Sequence, residues 1–147
     1  MIALGGTGMT TDQTRGVVRD LYDSYARRDF DRVAALIHDD IDWMIYGPMQ
    51  VFPFVGPRRG RAAVLEALGS IAEHYALDSY VPETIIVDGD RAAVMSNVRF
   101  IQRASNRALR FRLANFLRVQ DGRIIEFREF ANTFDLVEQA RGQQLDL

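Results

Sequence analysis

Residues 81–87, 91–103, 108–119 and 123–132 are four successive apolar-rich stretches, separated only by the short segments DGD, ASNR and QDG. Connections this short, built from Gly, Asp and Asn, turn a chain back on itself because these residues accept the positive φ of a tight hairpin. The second half of the chain is therefore expected to run as an antiparallel meander. A meander buries one of its faces only if something else covers it. The first half of the chain has to supply that cover.

It does so with helices. From Thr11, behind Thr-Thr-Asp, residues Val17, Val18, Leu21, Tyr22 and Tyr25 recur at helical spacing. A shorter helix is expected over 29–37, with Phe30, Val33, Ala34 and Ile37 inward, HDD ending it and His38 favouring its C-terminal end. IDWMIY then reads as a strand. A third helix is expected over 61–76, with Val64, Leu65, Leu68, Ile71 and Tyr75 on one stripe, and a last one behind Thr133 through Ala140. Between the first strand and the third helix, GPMQVFPFVGPRRG holds three of the four prolines. Its Val51, Phe52, Phe54 and Val55 are unusually apolar for a loop and are expected to fold over something. Helices first and a meander afterwards define an α+β domain, with the helices on one face of an antiparallel sheet.

At 147 residues the chain suits one domain. Residues 1–10, rich in Gly and Thr, read as a flexible arm, and 11–147 as the domain. GGTG lacks both a preceding strand and the GxGxxG spacing of a phosphate-binding loop. With 18 basic against 20 acidic residues, a nucleic-acid partner is not expected. Every basic residue is Arg, a sign of coding bias in a high-GC, bacterial genome. The absence of cysteine excludes disulfides, thiol catalysis and thiolate metal sites. Two distant histidines without an H-x-x-x-H pair argue against a metal, and no motif calls for a cofactor. The start of the sequence has neither a basic leader nor a long apolar run, so a cytoplasmic protein without a membrane span is expected.

Period-two alternation separates the faces of the strands. In 108–119 one row is Leu109, Phe111, Leu113, Asn115, Leu117 and Val119, an apolar row interrupted by one amide, and it is the best candidate for the covered face. In 91–103 both rows are apolar enough to be inside, and the row with Asn97 and Arg99 is placed inward. In 123–132 the row Ile125, Phe127, Glu129, Ala131 is inward, and Glu129 stands alone among small and apolar neighbours. Phe100, Phe116 and Phe130 fall on the opposite, mixed face. Aromatics there are expected to be covered by a second copy of the chain, giving a homodimer through the outer sheet face.

The segments VVRDLYDSYARRDFDRVAALIHDDIDW, PFVGPRRGRAAVLEAL and NFLRVQDGRIIEFREFANTFD carry a resemblance. The chain resembles the SnoaL-like proteins of the ketosteroid isomerase and nuclear transport factor two-like superfamily. The resemblance implies a cystatin-like cone, in which a strongly curved sheet wraps the N-terminal helices around a mostly apolar pocket. It also implies a choice among isomerases, cyclases, epoxide hydrolases, dehydratases and noncatalytic binders. Carried over residue by residue, the tyrosine donor of ketosteroid isomerases falls on Leu21, their general base near Ile45 and their second donor on Asn115. For limonene epoxide hydrolases, the Arg-x-Asp pair falls on Asn97 and Arg99 and the other acid on Glu129. Neither constellation is preserved entire.

The candidate catalytic residues are therefore Glu129 as acid or base, Arg99 as its tuning partner or an oxyanion donor, and Asn115 as an orienting amide. Asn97, Trp43, Ile45, Tyr46, Phe54, Phe111, Leu113 and Phe127 are the candidate ligand-binding residues. The ligand expected is an apolar, cyclic or polyketide-like small molecule. Three readings stand at this point. They are a small cofactor-independent enzyme, a noncatalytic binder using the same pocket, and a solid cone whose sheet face is an interaction surface for another protein, with a structural Glu129–Arg99 ion pair closing the cone floor.

Overall fold

The computed structural model describes residues 8–146, so most of the expected N-terminal arm lies outside the described residues. The elements, in chain order, are α1 (Thr11–Ala26), α2 (Phe30–Ala35), β1 (Ile37–Ile45), β2 (Gly56–Arg59), α3 (Arg61–His74), β3 (Tyr75–Asp88), β4 (Arg91–Gln102), β5 (Ala108–Gln120), β6 (Arg123–Ala131) and α4 (Thr133–Arg141). One six-stranded sheet has the order β2-β1-β6-β5-β4-β3. Its neighbours are antiparallel except β1 and β6, which run parallel because α2 and β1 precede the meander and close onto its last strand. The sheet is open and curls around α1 and α3, which pack on its concave face.

Local chemistry accounts for the helix starts. Thr10 accepts from the Gln13 backbone N–H while the Thr10 N–H donates to the Gln13 side chain, a reciprocal pair that satisfies two groups at the α1 start. Thr14, Val18 and Tyr22, four residues apart, are the buried stripe of α1. Asp29 caps α2 through the Arg32 N–H, and Asn132 caps α4 through the Asp135 N–H. In the β5–β6 turn, Asp121 and Gly122 have φ of 52° and 75°, the left-handed pair that a two-residue hairpin requires.

Two boundaries differ from the sequence reading. The second helix stops at Ala35, and HDD lies inside β1 instead of ending a helix. The cause is burial: Ile37 and Ile41 are both almost completely buried, so the chain extends to place both in the core and leaves His38, Asp39 and Asp40 facing outward. His38 consequently caps no helix and accepts from the Asp40 N–H. At the other boundary, α3 ends at His74 and Tyr75 already begins β3. Residues 77–80, which fall between the expected helix and the expected strand, belong to β3, which carries register shifts between Leu77 and Ser79 and between Pro82 and Thr84. Such bulges bend a strand and help to curl the sheet.

A third register shift, between Arg118 and Val119 opposite Ile124 and Glu126, changes which residues of β6 point inward. Ile124 is buried in place of Ile125, while Phe127 and Glu129 keep the inward face expected of them. On β4 the inward row is Ala92, Val94, Ser96 and Val98, continued by Phe100, which lines the interior and is not on the outer face. Among the described residues no helix is long and apolar enough to cross a membrane.

Burial at the start of β1 can be tested directly. Ile41→Ala should lower the unfolding free energy in urea by about 2–5 kcal/mol, whereas Asp40→Ala should change it by no more than about 0.5 kcal/mol. Equal effects would place the strand boundary wrongly.

Candidate active site

The concave face of the sheet and the helices enclose a cavity of about 140 Å³. An apolar cavity of about 150 Å³ holds one benzene, so a single ring fits without rearrangement. Trp43, Ile45 and Tyr46 from β1 and its end, Phe54 from the following loop, Phe111 and Leu113 from β5 and Phe127 from β6 all line it. Trp43 stacks on Phe127 with ring centroids 4.0 Å apart and planes 11° from parallel, as expected for residues paired across adjacent strands. The apolar loop after β1 covers the cavity with Phe52, Phe54 and Val55.

Glu129 is the only carboxyl in this wall, which holds no basic side chain. It sits opposite Asn115 on β5 and Ile45 on β1. Asn115 Nδ2 donates to Glu129 Oε1 at 3.1 Å, and Tyr22 Oη donates to Asn115 Oδ1 at 2.6 Å. Tyr80 Oη reaches the same Oδ1 at 3.4 Å. Two hydroxyl donors on Oδ1 fix which way the amide points, so its N–H must face the carboxyl. Asn115 is 0% exposed, and this chain of hydrogen bonds is what lets an amide lie in an apolar row. Glu129 is enclosed by protein yet keeps surface that water can touch, because its open side is the cavity.

Burial pushes the Glu129 carboxyl from its ordinary 4.5 up to about 7, and the Asn115 hydrogen bond only partly opposes this. No cation offsets the burial. Tyr22 and Tyr80 are pushed well up by burial, and Tyr25 is pushed up by burial and then by the Glu129 charge, so all three keep their protons. Tyr25 lines the cavity and makes no side-chain hydrogen bond among the described residues, which leaves its hydroxyl available to a ligand.

Arg99 and Asn97 lie elsewhere. Both are on the outer face of β4, with β5 standing between β4 and β6. Arg99 pairs with Asp78, and Asn97 donates to Glu83, each acid placed at a β3 register shift. A Glu129–Arg99 ion pair at the cone floor is therefore absent, and neither Arg99 nor Asn97 lines the cavity. The error is one of strand parity: both rows of β4 are apolar, and the row that goes inside is the one without charge. Tyr22, Tyr25 and Tyr80 were not singled out from sequence as site residues. Tyr22 and Tyr25 read as helix core, and Tyr80 fell before the expected strand. Their signal was their type: in an interior this apolar, buried hydroxyls need partners.

The Glu129 shift carries a stability consequence with a definite sign. Between about pH 4.5 and 7 the native carboxyl holds a proton that the unfolded one has lost, so stability falls as pH rises through this window. Above it the buried charge costs about 3 kcal/mol. Glu129→Gln should therefore gain about 3 kcal/mol over the parent on going from pH 4 to pH 8 in urea unfolding. A difference that is flat with pH would show that Glu129 ionises alike in both states.

The SnoaL-like domain model matches residues 18–127. No curated protein matches the chain. Among solved structures, a proposed isomerase from Rhodopseudomonas palustris is 38% identical over 89% of this chain and 97% of its own, with a TM-score of 0.79. A nuclear transport factor two-like protein from Burkholderia xenovorans is 26% identical over 90% of this chain and 99% of its own, with a TM-score of 0.77. An LEH-like epoxide hydrolase from M. tuberculosis is 19% identical over 90% of this chain and 92% of its own, with a TM-score of 0.73, which is a likeness of fold. Matched across most of its length by the family model and by these structures, the chain belongs to the SnoaL-like family of the nuclear transport factor two-like superfamily.

Proposed function

We propose that this protein is a small isomerase-type enzyme that moves a proton between carbons of a single-ring, apolar molecule, with Glu129 as acid and base. The observation that carries the reading is the lone carboxyl on the cavity wall, tied by one oxygen to Asn115 and open at the other. A group titrating at about 7 is near the optimum for proton transfer at neutral pH. Glu129 takes a proton from a carbon next to an unsaturated group, whose C–H electron pair moves into the ring. The Tyr25 hydroxyl donates to the atom on which charge develops. The protonated Glu129 then returns the proton to a different carbon, leaving the same atoms rearranged. Asn115 and Tyr22 act through Glu129, by holding its orientation. The isomerase name carried by the 38% identical relative supports the reaction class and leaves the substrate open.

The test is deuterium exchange, followed by NMR, at the acidic C–H positions of single-ring β,γ-unsaturated ketones. Glu129→Gln should abolish exchange and double-bond migration while leaving the fold and ring binding intact. In the parent protein kcat/KM should rise with pH through about 7, so that at pH 5 it is about 100-fold below its plateau. Unchanged turnover in Glu129→Gln would remove Glu129 from the chemistry. Ring binding without exchange in the parent would favour a noncatalytic binder.

The working unit under this proposal is a homodimer through the outer sheet face. Tyr46 stacks on Phe130 at 4.7 Å and Phe116 meets Phe130 edge-on at 5.9 Å, with Phe116 52% and Phe130 44% exposed. A contiguous aromatic patch of this kind is unusual on a monomer, and a second copy offers the same patch to cover it. Light scattering should give twice the chain mass, and Phe116→Glu with Phe130→Glu should halve it. A monomeric parent protein would end this part of the proposal.

A further inference from the structure

The cavity collects all five tyrosines, the single tryptophan and more than half of the nine phenylalanines of the chain. None of the eighteen arginines lines it. The arginines instead take partners outside, as in Arg99 with Asp78, Arg112 with Glu83 and Arg128 with Asp42. Every buried formal charge in this interior is therefore negative, and it has no positive partner. The groups facing Glu129 are Tyr22 and Tyr25 from α1, Tyr80 from β3 and Asn115 from β5, all uncharged. No basic side chain shifts its titration.

Aromatic rings present negative faces, and an aromatic box closed by one carboxylate is the electrostatic complement of an organic cation. A buried carboxylate without a partner is costly, and a ligand bringing the opposite charge removes that cost on binding. An anion would meet Glu129 with nothing to balance it. A neutral ring would gain apolar burial and leave the carboxyl as it was.

We infer that the ligand of this cavity is a single-ring organic cation, a molecule carrying a positively charged nitrogen in or next to its ring, with Glu129 as its counter-ion. This rests on the preceding reading only in placing Glu129 at the reacting centre of a single ring, and it replaces the neutral electron sink of that reading with a cationic nitrogen. Removal of a ring C–H proton beside a C=N⁺ group then breaks the C–H bond, forms the Glu129 O–H bond and turns C=N⁺ into C–N with a new C=C. A cation and a carboxylate become two neutral groups. An interior of low polarity favours a step that cancels charge, and such a step needs no cationic oxyanion donor.

The probe pair is N-methylpyridinium and toluene, which have the same shape and differ in charge, with benzoate as the anion. Titration calorimetry at pH 8 should find N-methylpyridinium bound at least about 10-fold more tightly than toluene, and benzoate not bound. The preference should shrink by at least about 10-fold at pH 5, where Glu129 is protonated. It should be lost at both pH values in Glu129→Gln, with toluene binding retained as the sign that the cavity is intact. Toluene binding as tightly as the cation at pH 8, or a cation preference independent of pH, would overturn the inference. Those results leave ketone exchange by Glu129 untouched. Loss of the acid/base role would show instead as unchanged exchange in Glu129→Gln, whatever the charge preference.

Discussion

The hydrogen bond from Tyr22 to Asn115 joins α1 to the middle of the sheet, and the arrangement of the interior depends on it. Asn115 occupies a position in an apolar row where an unpaired amide would cost about 1–3 kcal/mol. Once Tyr22 and Tyr80 both donate to its oxygen, its N–H can only face β6, where Glu129 stands opposite in register. A helix residue thus determines the orientation of a carboxyl two steps away.

Orientation alone does not make a carboxyl reactive. What raises Glu129 is that the fold keeps its charges on opposite sides of the sheet. The outer face carries half-buried ion pairs such as Arg128 with Asp42 and Arg118 with Glu126, in which each charge has a partner. The inner face carries aromatic and aliphatic side chains. With an arginine in the wall, Glu129 would be held ionised and weakly basic. Without one, burial decides its titration and brings it near neutrality.

Much of this was legible in the sequence because its signals are periodic. Hairpin turns marked the meander, helical spacing marked α1 and α3, and the apolar row of β5 with its single amide identified the inner face and Asn115. Glu129 was legible for the same reason, since its neighbours in the row are Phe127 and Ala131. What failed were positions where parity is ambiguous or interrupted. On β4 the two rows are equally apolar, so Asn97 and Arg99 were placed inside, although the register with β5 puts Val94 and Ser96 there. On β6 one extra residue exchanged Ile125 for Ile124. On β3 the strand was expected only from residue 81, although it starts at Tyr75, and this left Tyr80 outside it. Bulges are local exceptions set by pairing across strands, and a single sequence carries no direct record of that pairing.

The corrected position of Arg99 changes the chemistry more than its location suggests. With Arg99 inside, Glu129 would be one half of an ion pair, and the cavity would suit a substrate that develops negative charge beside a fixed cation. With Arg99 outside and paired to Asp78, the side-chain donors in the wall are hydroxyls, the Trp43 indole N–H and one amide, all uncharged, and Asn115 is already engaged. The Tyr25 hydroxyl can donate but cannot neutralise a full negative charge. A reaction that begins with charge and ends without it is therefore better matched to this interior than one that creates charge. One parity step on β4 thus separates a wall with a fixed cation beside Glu129 from a wall in which the carboxyl has no positive partner.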